Sequence, residues 1–467
     1  MLARVSILAL IVLTSAYSAE PIQAKRLKKD VSFLASDKLK GRGSPSPGLY
    51  AAGEYIAHRF WQMGLQPGSA GGYFQAIPVN VGVMGKYEVM LEGSGGKFVL
   101  NDQNTSAFPG AAAAFSSADV VKVDAAFVRT MKEGELAGKV VLAATPLRRI
   151  RGGLPAAVIV VNEGLSRMAG MMPRNEISLR EVAESRRPST IVSADAALVK
   201  WAASLPSGPV TDAKASGKIE ANKAEVELRN VVGVLPGSDP ALRDSYVIVS
   251  AHYDHLGEAA SGTDKIRNGA NDDASGVASM LSVAKALSEM KPRPKRTIVF
   301  AAWTAEEVGG LGSTFYSKYP LFPLGRTVAN VNIEQIGRFD GEGGAGPKRI
   351  FATGYGYSDV GRMLTEAAKT AGVEGYAGPD SFFARSDNVF LALAGVPAHT
   401  VGSSLEFPDY HRVTDSADKL DYENMALLTR AVAALTRALA DTPKGPEWNQ
   451  TNPDVAPYRK ARQAQVH

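Results

Sequence analysis

Short apolar runs and amphipathic segments alternate through the second half of the chain. Runs rich in β-branched residues predict buried strands at 246–251, 297–303, 328–334, 349–353 and 396–401. Helical periodicity predicts helices at 276–290, 358–371 and 421–440. Strands that alternate with helices form a largely parallel or mixed sheet whose two faces are covered by helices. The pattern therefore predicts an α/β domain.

The first half of the chain has a different pattern. Residues 30–80 are predicted to be helical, and Ala52, Ile56 and Phe60 share one face of a helix that should end near Gly64. Further along, short apolar strands are separated by loops rich in Gly, Pro and basic residues. These strands predict a small β-rich unit inserted into a larger domain.

The two ends of the chain also differ from its centre. At the N-terminus, Arg4 is followed by an apolar stretch from Val5 to Leu13 and then by small residues, with a cleavage point after Ser18 or Ala19. This order is typical of a secretory signal peptide and is too short for a membrane span. An uncleaved anchor or a buried helix is the alternative. The C-terminal residues 445–467 are polar and contain proline, which predicts a loose terminus.

Composition limits the classes of function. A chain of 467 residues is too long for one ordinary core, so about two or three domains are expected. The net charge is only +5, and the basic residues form no stripe interleaved with aromatic residues, so a nucleic-acid partner is not expected. The chain contains no cysteine, which excludes disulfides, thiol catalysis and cysteine metal sites. After signal cleavage no membrane span is expected, and the predicted location is secreted or periplasmic.

Histidines and carboxylates follow the predicted strands, at the sheet edge where ligands of α/β proteins gather. They are His252, Asp254 and His255 after the first strand, Asp272 and Asp273 between two glycines, Glu306 and Glu307 after the second strand, Glu334 at the end of the third, and His411 in a later loop. Each has a structural alternative: Asp273 or Ser275 can cap the helix that follows, and the adjacent glutamates can be a solvated loop.

These residue types suit a metal centre. Neutral imidazole and carboxylate are good ligands for Zn²⁺. Two metal ions about 3.5–4 Å apart need a bridging carboxylate to offset their repulsion. A further carboxylate outside the ligand set can then accept the proton of a nucleophilic water. The residues therefore predict a hydrolytic two-metal site.

Five stretches now make a resemblance visible. "AHYDHLG", "GANDDASG", "AEEVGGLGS", "NIEQIGR" and "DYHRVTDSADKL" resemble, in order and spacing, the motifs of metallopeptidase family 28, the co-catalytic zinc aminopeptidases. "LASDKLKGRGSPSPGLYAAGEYIAHRFWQMGLQPG" looks like the N-terminal segment of that family, and the insert is similar to a protease-associated domain. The resemblance implies a zinc-exopeptidase fold: a mixed, mostly parallel sheet flanked by helices, with a small β-rich insert.

The resemblance also implies a division of the chain. The expected parts are a signal peptide at 1–19, an N-terminal part of the catalytic domain at 20–114, a protease-associated insert at 115–225, the remaining catalytic domain at 226–444 and a flexible tail at 445–467.

The resemblance assigns two Zn²⁺ ions to five residues. His252 and Glu334 would complete one zinc site, Glu307 and His411 would complete the other, and Asp272 would bridge them. Many relatives have aspartate where this chain has Glu334. The longer side chain keeps the charge and the oxygen donors, so ligation is expected to survive with a shifted geometry.

Further residues receive roles around the zinc ions. Glu306 would be the general base, and Asp254 would accept a hydrogen bond from the imidazole of the preceding histidine ligand and orient it. His255 is expected to be a neighbour of the pocket rather than a ligand. Arg385, Ser386 and Asp387 are expected to line the substrate cleft.

The expected activity is that of an exported zinc aminopeptidase acting on peptides with a free N-terminus. A carboxypeptidase or dipeptidase is the closest alternative, for which Arg385 or Arg338 would hold the substrate carboxylate. A glutaminyl cyclase has the same fold but uses one zinc. A binding protein similar to transferrin receptor would have lost ligands that this chain retains. The oligomeric state and the preferred residue are not indicated by the sequence.

Overall fold

The computed structural model describes residues 22–145, 147, 150, 152–162, 175–180, 187–259 and 262–465. The predicted signal peptide at 1–19 lies outside these residues. Within them, the strands join into one continuous mixed sheet, and helices pack on both of its faces. This confirms the predicted mixed, mostly parallel α/β fold.

The strands are numbered in chain order. They are β1 (Gln66–Pro67), β2 (Phe74–Gly93), β3 (Gly96–Asn101), β4 (Ser106–Phe108), β5 (Ala113–Val123), β6 (Val140–Ala143), β7 (Ala157–Val161), β8 (Asn175–Leu179), β9 (Thr190–Ser193), β10 (Gly208–Leu235), β11 (Tyr246–His252), β12 (Thr297–Trp303), β13 (Thr327–Ile333), β14 (Arg349–Ala352), β15 (Glu374–Ala377) and β16 (Ala398–Gly402).

The helices are numbered in the same way. They are α1 (Ala24–Leu34), α2 (Pro47–Gln62), α3 (Ala125–Thr130), α4 (Ala196–Ser204), α5 (Ser275–Glu289), α6 (Leu311–Lys318), α7 (Asp359–Thr370), α8 (Asn388–Leu393), α9 (Tyr422–Asp441) and α10 (Ala456–Ala464), together with short 3₁₀ turns. Among the described residues, no helix combines the length and the apolar character needed to cross a membrane.

Parallel strands form the centre of the sheet. β12 pairs with β11, β11 with β13 and β13 with β16, all in parallel, while β10 pairs antiparallel with β12. Along β11, Val247 and Val249 pack into the core on one face and Ile248 into the core on the other. Each such side chain stabilises the fold by about 1.5–3 kcal/mol relative to exposure. This burial on both faces explains why the predicted strands read as continuous apolar runs.

The predicted helical character of residues 30–80 is correct only in part. α2 ends at Gln62, close to Gly64, whose φ of +69° suits a glycine. From Phe74 onward, however, the chain is the long strand β2, which pairs antiparallel with β10. The residues of "FQAIPVNV" alternate between more and less buried positions, which is the period of a strand.

A second hydrophobic cluster lies apart from the main core. It includes Tyr87, Val89 and Leu100 as well as Val140 and Ile159. Its members therefore begin earlier in the chain than residue 115, the expected start of the insert, because β2 and β10 extend from the main sheet into this region. The assignment of the insert to a protease-associated domain stays a prediction.

The C-terminal segment is packed rather than loose. Trp448 and Val455 are buried in the core that also contains Ile248. In α10, the Arg462 guanidinium donates to the carbonyl oxygens of Leu324 and Thr327 at 3.1 and 3.0 Å. The polar composition of the segment conceals these few anchoring residues, so the prediction of a loose terminus is wrong.

Candidate metal centre

Adjacent parallel strands deliver the predicted ligands to one edge of the sheet. β11 ends at His252, which lies beside Trp303 at the end of β12, and Glu334 directly follows β13. Because parallel strands end at the same edge, residues that are far apart in sequence meet there. The edge is buried: His252, Asp272 and Glu334 are each exposed by less than a tenth of their surface.

Asp272 stands between two groups of side chains. Its Oδ1 lies 3.2 Å from Nε2 of His252, and that nitrogen is 3.8 Å from Oε1 of Glu334. Its Oδ2 lies 3.3 Å from Nε2 of His411, which is 3.1 Å from Oε2 of Glu307. The structure thus brings all five predicted ligands together, with Asp272 offering one oxygen to each group. This is the arrangement that a bridging carboxylate requires.

Electrostatics in the two groups match a cation site. Burial alone would lower the pKa of His411, but Asp272 and Glu307 outweigh it and raise that pKa to about 10. Burial would raise the pKa of Glu307, but the charges and hydrogen bonds of His255 and His411 lower it to about 2. Protonated histidines therefore supply the positive charge that the buried carboxylates need.

A metal ion fits the donors at this edge. The buried Nε2 of His252 and Oδ2 of Asp272 have no hydrogen-bond partner in the described part of the chain, and both face the other ligands. In that same part, two groups of three residues could each hold a metal ion, because the ligand atoms within each group lie within 4.8 Å of one another. The groups are His252, Asp272 and Glu334, and His255, Asp272 and Glu307. Nitrogen and carboxylate oxygen donors of this kind bind Zn²⁺, and the ion would replace the histidine protons.

His255 is closer to the centre than the sequence indicates. Its Nδ1 lies 2.6 Å from Oε1 of Glu307 and 3.9 Å from Oδ2 of Asp272, and the ring is buried. A hydrogen bond from His255 to Oε1 leaves Oε2 of Glu307 facing His411. The only sequence signal for this contact is the second histidine of "HYDH", which follows the first ligand by three positions.

Asp254 contacts the glutamate pair more directly than it contacts His252. Its Oδ1 accepts from the backbone N–H of Glu306 at 3.0 Å and its Oδ2 accepts from that of Glu307 at 3.4 Å. The Nδ1 of His252 is 3.8 Å from the Asp254 carboxylate and 3.3 Å from its backbone carbonyl oxygen. The carbonyl is therefore the nearer acceptor for the imidazole, and the carboxylate fixes the Glu306–Glu307 turn. Burial raises the pKa of Asp254 to about 6.

Glu306 lies in the turn after β12 and is not a member of either ligand group. Burial raises the pKa of Glu306 well above its usual value, and the nearby carboxylates of Asp387 and Glu334 add to the shift. A carboxylate with a raised pKa is suited to accept and return a proton.

Two aspartates that flank the site hold its loops. Asp273 Oδ1 accepts from the backbone N–H groups of Gly276 and Gln335 at 3.0 and 3.2 Å, so it caps α5, as its structural alternative proposed. Asp415 is buried and accepts from the backbone N–H groups of Asn271 and Asp272. Asp415 was not predicted, because its partners lie more than 140 positions earlier in the sequence.

Removing the Asp415 carboxylate should destabilise the protein. Asp415→Ala leaves two buried N–H groups without acceptors, and each loss costs about 1–3 kcal/mol. We expect the free energy of unfolding, measured with urea, to fall by about 2–4 kcal/mol. Asp418→Ala changes an exposed aspartate of the same loop and should shift it by less than about 0.5 kcal/mol. Equal, small effects of the two substitutions would contradict the assigned contacts.

Arg42 joins the N-terminal segment to the ligand loops. Its guanidinium is fully buried and donates to the carbonyl oxygens of Tyr253, Asn268 and Gly269 at 2.8, 2.7 and 3.0 Å, and also to that of Leu34. Burial lowers the pKa of Arg42, while the surrounding carboxylates oppose that change. The sequence alone gave no reason to select this arginine.

The residues expected to line the substrate cleft divide into two kinds. Arg385 is nearly half exposed and pairs with Glu406 at 2.6 Å. Ser386 and Asp387 are buried: Ser386 Oγ accepts from Asn332 at 2.8 Å, and Asp387 accepts from the hydroxyl of Ser313. Ser386 and Asp387 are therefore closed off from solvent, and their place along the substrate cleft stays a prediction.

Comparisons with known proteins show which protein family this chain resembles. Residues 230–436 match the model of peptidase family M28. Aminopeptidase Y of Saccharomyces cerevisiae is 28% identical over 240 residues, which are 47% of this chain and 40% of that protein. A probable glutamate carboxypeptidase of Zea mays is 28% identical over 222 residues, 44% of this chain and 29% of that protein. The chain thus spans less than half the length of these curated relatives.

Solved structures share the fold. The aminopeptidase of Aneurinibacillus sp. strain AM-1 has a TM-score of 0.61 at 18% identity and covers 91% of this chain and 95% of its own. A zinc aminopeptidase of Bacillus subtilis has a TM-score of 0.59 at 18% identity, with coverages of 91% and 97%. These structures show the shared fold, and the matching family model assigns the segment 230–436 to peptidase family M28.

Proposed function

We propose that the chain is a two-zinc aminopeptidase that removes the first residue of peptides with a free N-terminus. The observation that carries the proposal is the position of Asp272, whose two oxygens face two separate sets of buried ligands. Three ligating carboxylates would balance three of the four positive charges of two Zn²⁺ ions held there.

The residues that would hold the metals fall into two sets. His252 and Glu334 join Oδ1 of Asp272, while Glu307 and His411 join its Oδ2. Zinc bound there supplies Lewis acidity toward the scissile carbonyl and acidifies a bound water. The chain contributes a buried, preorganised set of donors, so no side chain has to leave water when the reaction begins.

Proton transfer is assigned to Glu306. Its carboxylate would accept a proton from the attacking water and donate it to the nitrogen of the leaving amine. The raised pKa of Glu306 supports the first step, because a stronger base accepts a proton more readily, and the protonated carboxyl group then returns that proton to the leaving amine. Asp254 supports the position of this residue by accepting a hydrogen bond from its backbone N–H.

Charge pairing favours an aminopeptidase over a carboxypeptidase. A carboxypeptidase needs a cation free to bind the substrate carboxylate, and Arg338 and Arg385 were the predicted groups. Arg338 is held by Asp340 and by Asp409, the latter at 2.6 Å, and Arg385 pairs with Glu406. Both guanidinium groups are therefore already engaged with carboxylates. The similarity to a yeast aminopeptidase agrees with this, whereas the maize relative keeps the carboxypeptidase as the alternative to test.

A peptide panel tests the proposal. We expect the zinc-loaded protein to release the first residue from short peptides with free N-termini, to leave N-acetylated copies intact and to lose activity with a chelator. Cleavage that ignores acetylation but requires a free C-terminus would identify a carboxypeptidase. Ring closure of N-terminal glutamine without hydrolysis would identify a cyclase, and either result would contradict the proposal.

A further inference from the structure

A narrow pocket lies beside the first ligand set. Glu334 forms part of its wall together with Tyr410, whose ring stacks on His411 at 3.8 Å between centroids. Its volume is about 20 Å³, which is room for about one group of the size of a water molecule or a methyl. Because Glu334 belongs both to the pocket and to the first ligand set, the pocket adjoins the place where a scissile carbonyl would meet the metal ions.

The floor and the walls of the pocket cannot easily move. Thr353 directly follows β14 and Thr400 lies in the middle of β16; both line the pocket and are buried, and the Thr353 N–H donates to the carbonyl oxygen of Thr400 at 2.9 Å. Phe382 and Leu405 form apolar walls and are themselves buried. Because packed interiors resist displacement, the pocket cannot deepen to accept a longer side chain.

The exposed edge of the pocket, its rim, is the part that a substitution can widen. Arg385 and Glu406 stand there, paired at 2.6 Å with 47% and 40% of their side chains exposed. The Arg385 guanidinium also lies 4.3 Å from the centre of the Phe382 ring. An exposed ion pair of this kind is weak, so either partner can be removed without unfolding the protein.

Resting on the aminopeptidase function proposed above, we propose that this pocket receives the side chain of the N-terminal residue and selects small uncharged ones. The Arg385–Glu406 pair sets that limit. A longer side chain collides with the pair, and a charged one has to displace one of its members: Arg385 for a cationic side chain and Glu406 for an acidic one. Alanine fits the volume, and serine could also donate to Oε1 of Gln335, a buried pocket atom without a partner among the described residues.

Single-residue anilides test the limit. With the zinc-loaded full chain, kcat/KM should be about tenfold or more higher for alanine than for leucine p-nitroanilide, as expected for a pocket that discriminates methylenes. Arg385→Ala opens the rim and should bring this ratio down several-fold by raising the leucine rate. Glu406→Ala leaves Arg385 unpaired and should raise the rate on glutamate p-nitroanilide relative to alanine.

Arg349→Ala is the matched control. Arg349 pairs with Glu374 at 2.6 Å and lies 4.8 Å from the Tyr376 ring centre, yet it does not line the pocket. This substitution should leave the alanine-to-leucine ratio unchanged. Equal wild-type rates on alanine and leucine, or an unchanged ratio in Arg385→Ala, would overturn the pocket assignment while leaving the aminopeptidase intact. If no variant cleaves any anilide or free peptide, the proposed function itself fails, and this inference with it.

Discussion

Glu306→Gln should reduce kcat by about 10²- to 10⁴-fold, the usual contribution of a positioned general base. The amide has nearly the shape of the carboxylate but cannot accept the proton of the attacking water. Glu306 belongs to neither ligand set, so the variant should still bind zinc at the wild-type stoichiometry. Steady-state kinetics on a cleaved peptide and zinc content by atomic absorption measure the two effects separately.

The matched control for this experiment is Glu374→Gln, which makes the same change on the exposed strand β15. It should leave both kcat and zinc content at wild-type values. A Glu306→Gln enzyme with wild-type kcat would show that another group accepts the proton. Loss of zinc from that variant would place Glu306 among the ligands instead.

Asp272→Asn should weaken the binding of both metal ions, because one substitution withdraws an anionic oxygen from each ligand set. The amide offers a single neutral oxygen, so at most one ion keeps a contact, and the carboxylate that offsets the repulsion between the ions is lost. We expect zinc titrated by calorimetry to bind at least tenfold more weakly at both sites, with activity lost at ordinary zinc concentrations.

His411→Ala provides the comparison for Asp272→Asn. His411 contacts only the second set, where its Nε2 lies 3.1 Å from Oε2 of Glu307, so its loss should weaken one zinc and spare the other. Two tightly bound zinc ions in Asp272→Asn would exclude the bridging role. Loss of a single ion in both variants would assign Asp272 to one set only.

Much of the α/β fold could be read from residues buried on both sides of the sheet. The run 297–303 was predicted with the bounds of β12, because every residue in it is buried and apolar or small. β2 was missed for the opposite reason. Its polar residues, such as Gln75 and Asn80, resemble a helix surface in the sequence, and their burial becomes apparent only once β10 is known to lie beside them. The C-terminal segment was misjudged because Trp448 and Val455 anchor it to residues far away in sequence.

The candidate site was predictable where a side chain able to bind a metal lies at the end of a predicted strand. His252, Glu307 and Glu334 each lie at or shortly after the end of an apolar run, so type and position point to the same role. Arg42 and Asp415 instead form hydrogen bonds with backbone groups. Nearly every residue has a backbone carbonyl and an N–H, so the sequence does not indicate which of them will be a partner. Apart from Leu34, their partners are separated from them by more than 140 positions, a distance that only the folded chain closes.

The contacts of Arg42 have a practical consequence for experiments on fragments of this protein. The part that matches the family model begins at residue 230, yet a fragment cut there would lack the donor to the carbonyls of Tyr253, Asn268 and Gly269. It would also lose a buried positive charge among carboxylates. A unit that assembles the proposed metal centre therefore needs the residues that lead into α2, and we expect zinc-binding experiments on the matched segment alone to report on a disassembled site.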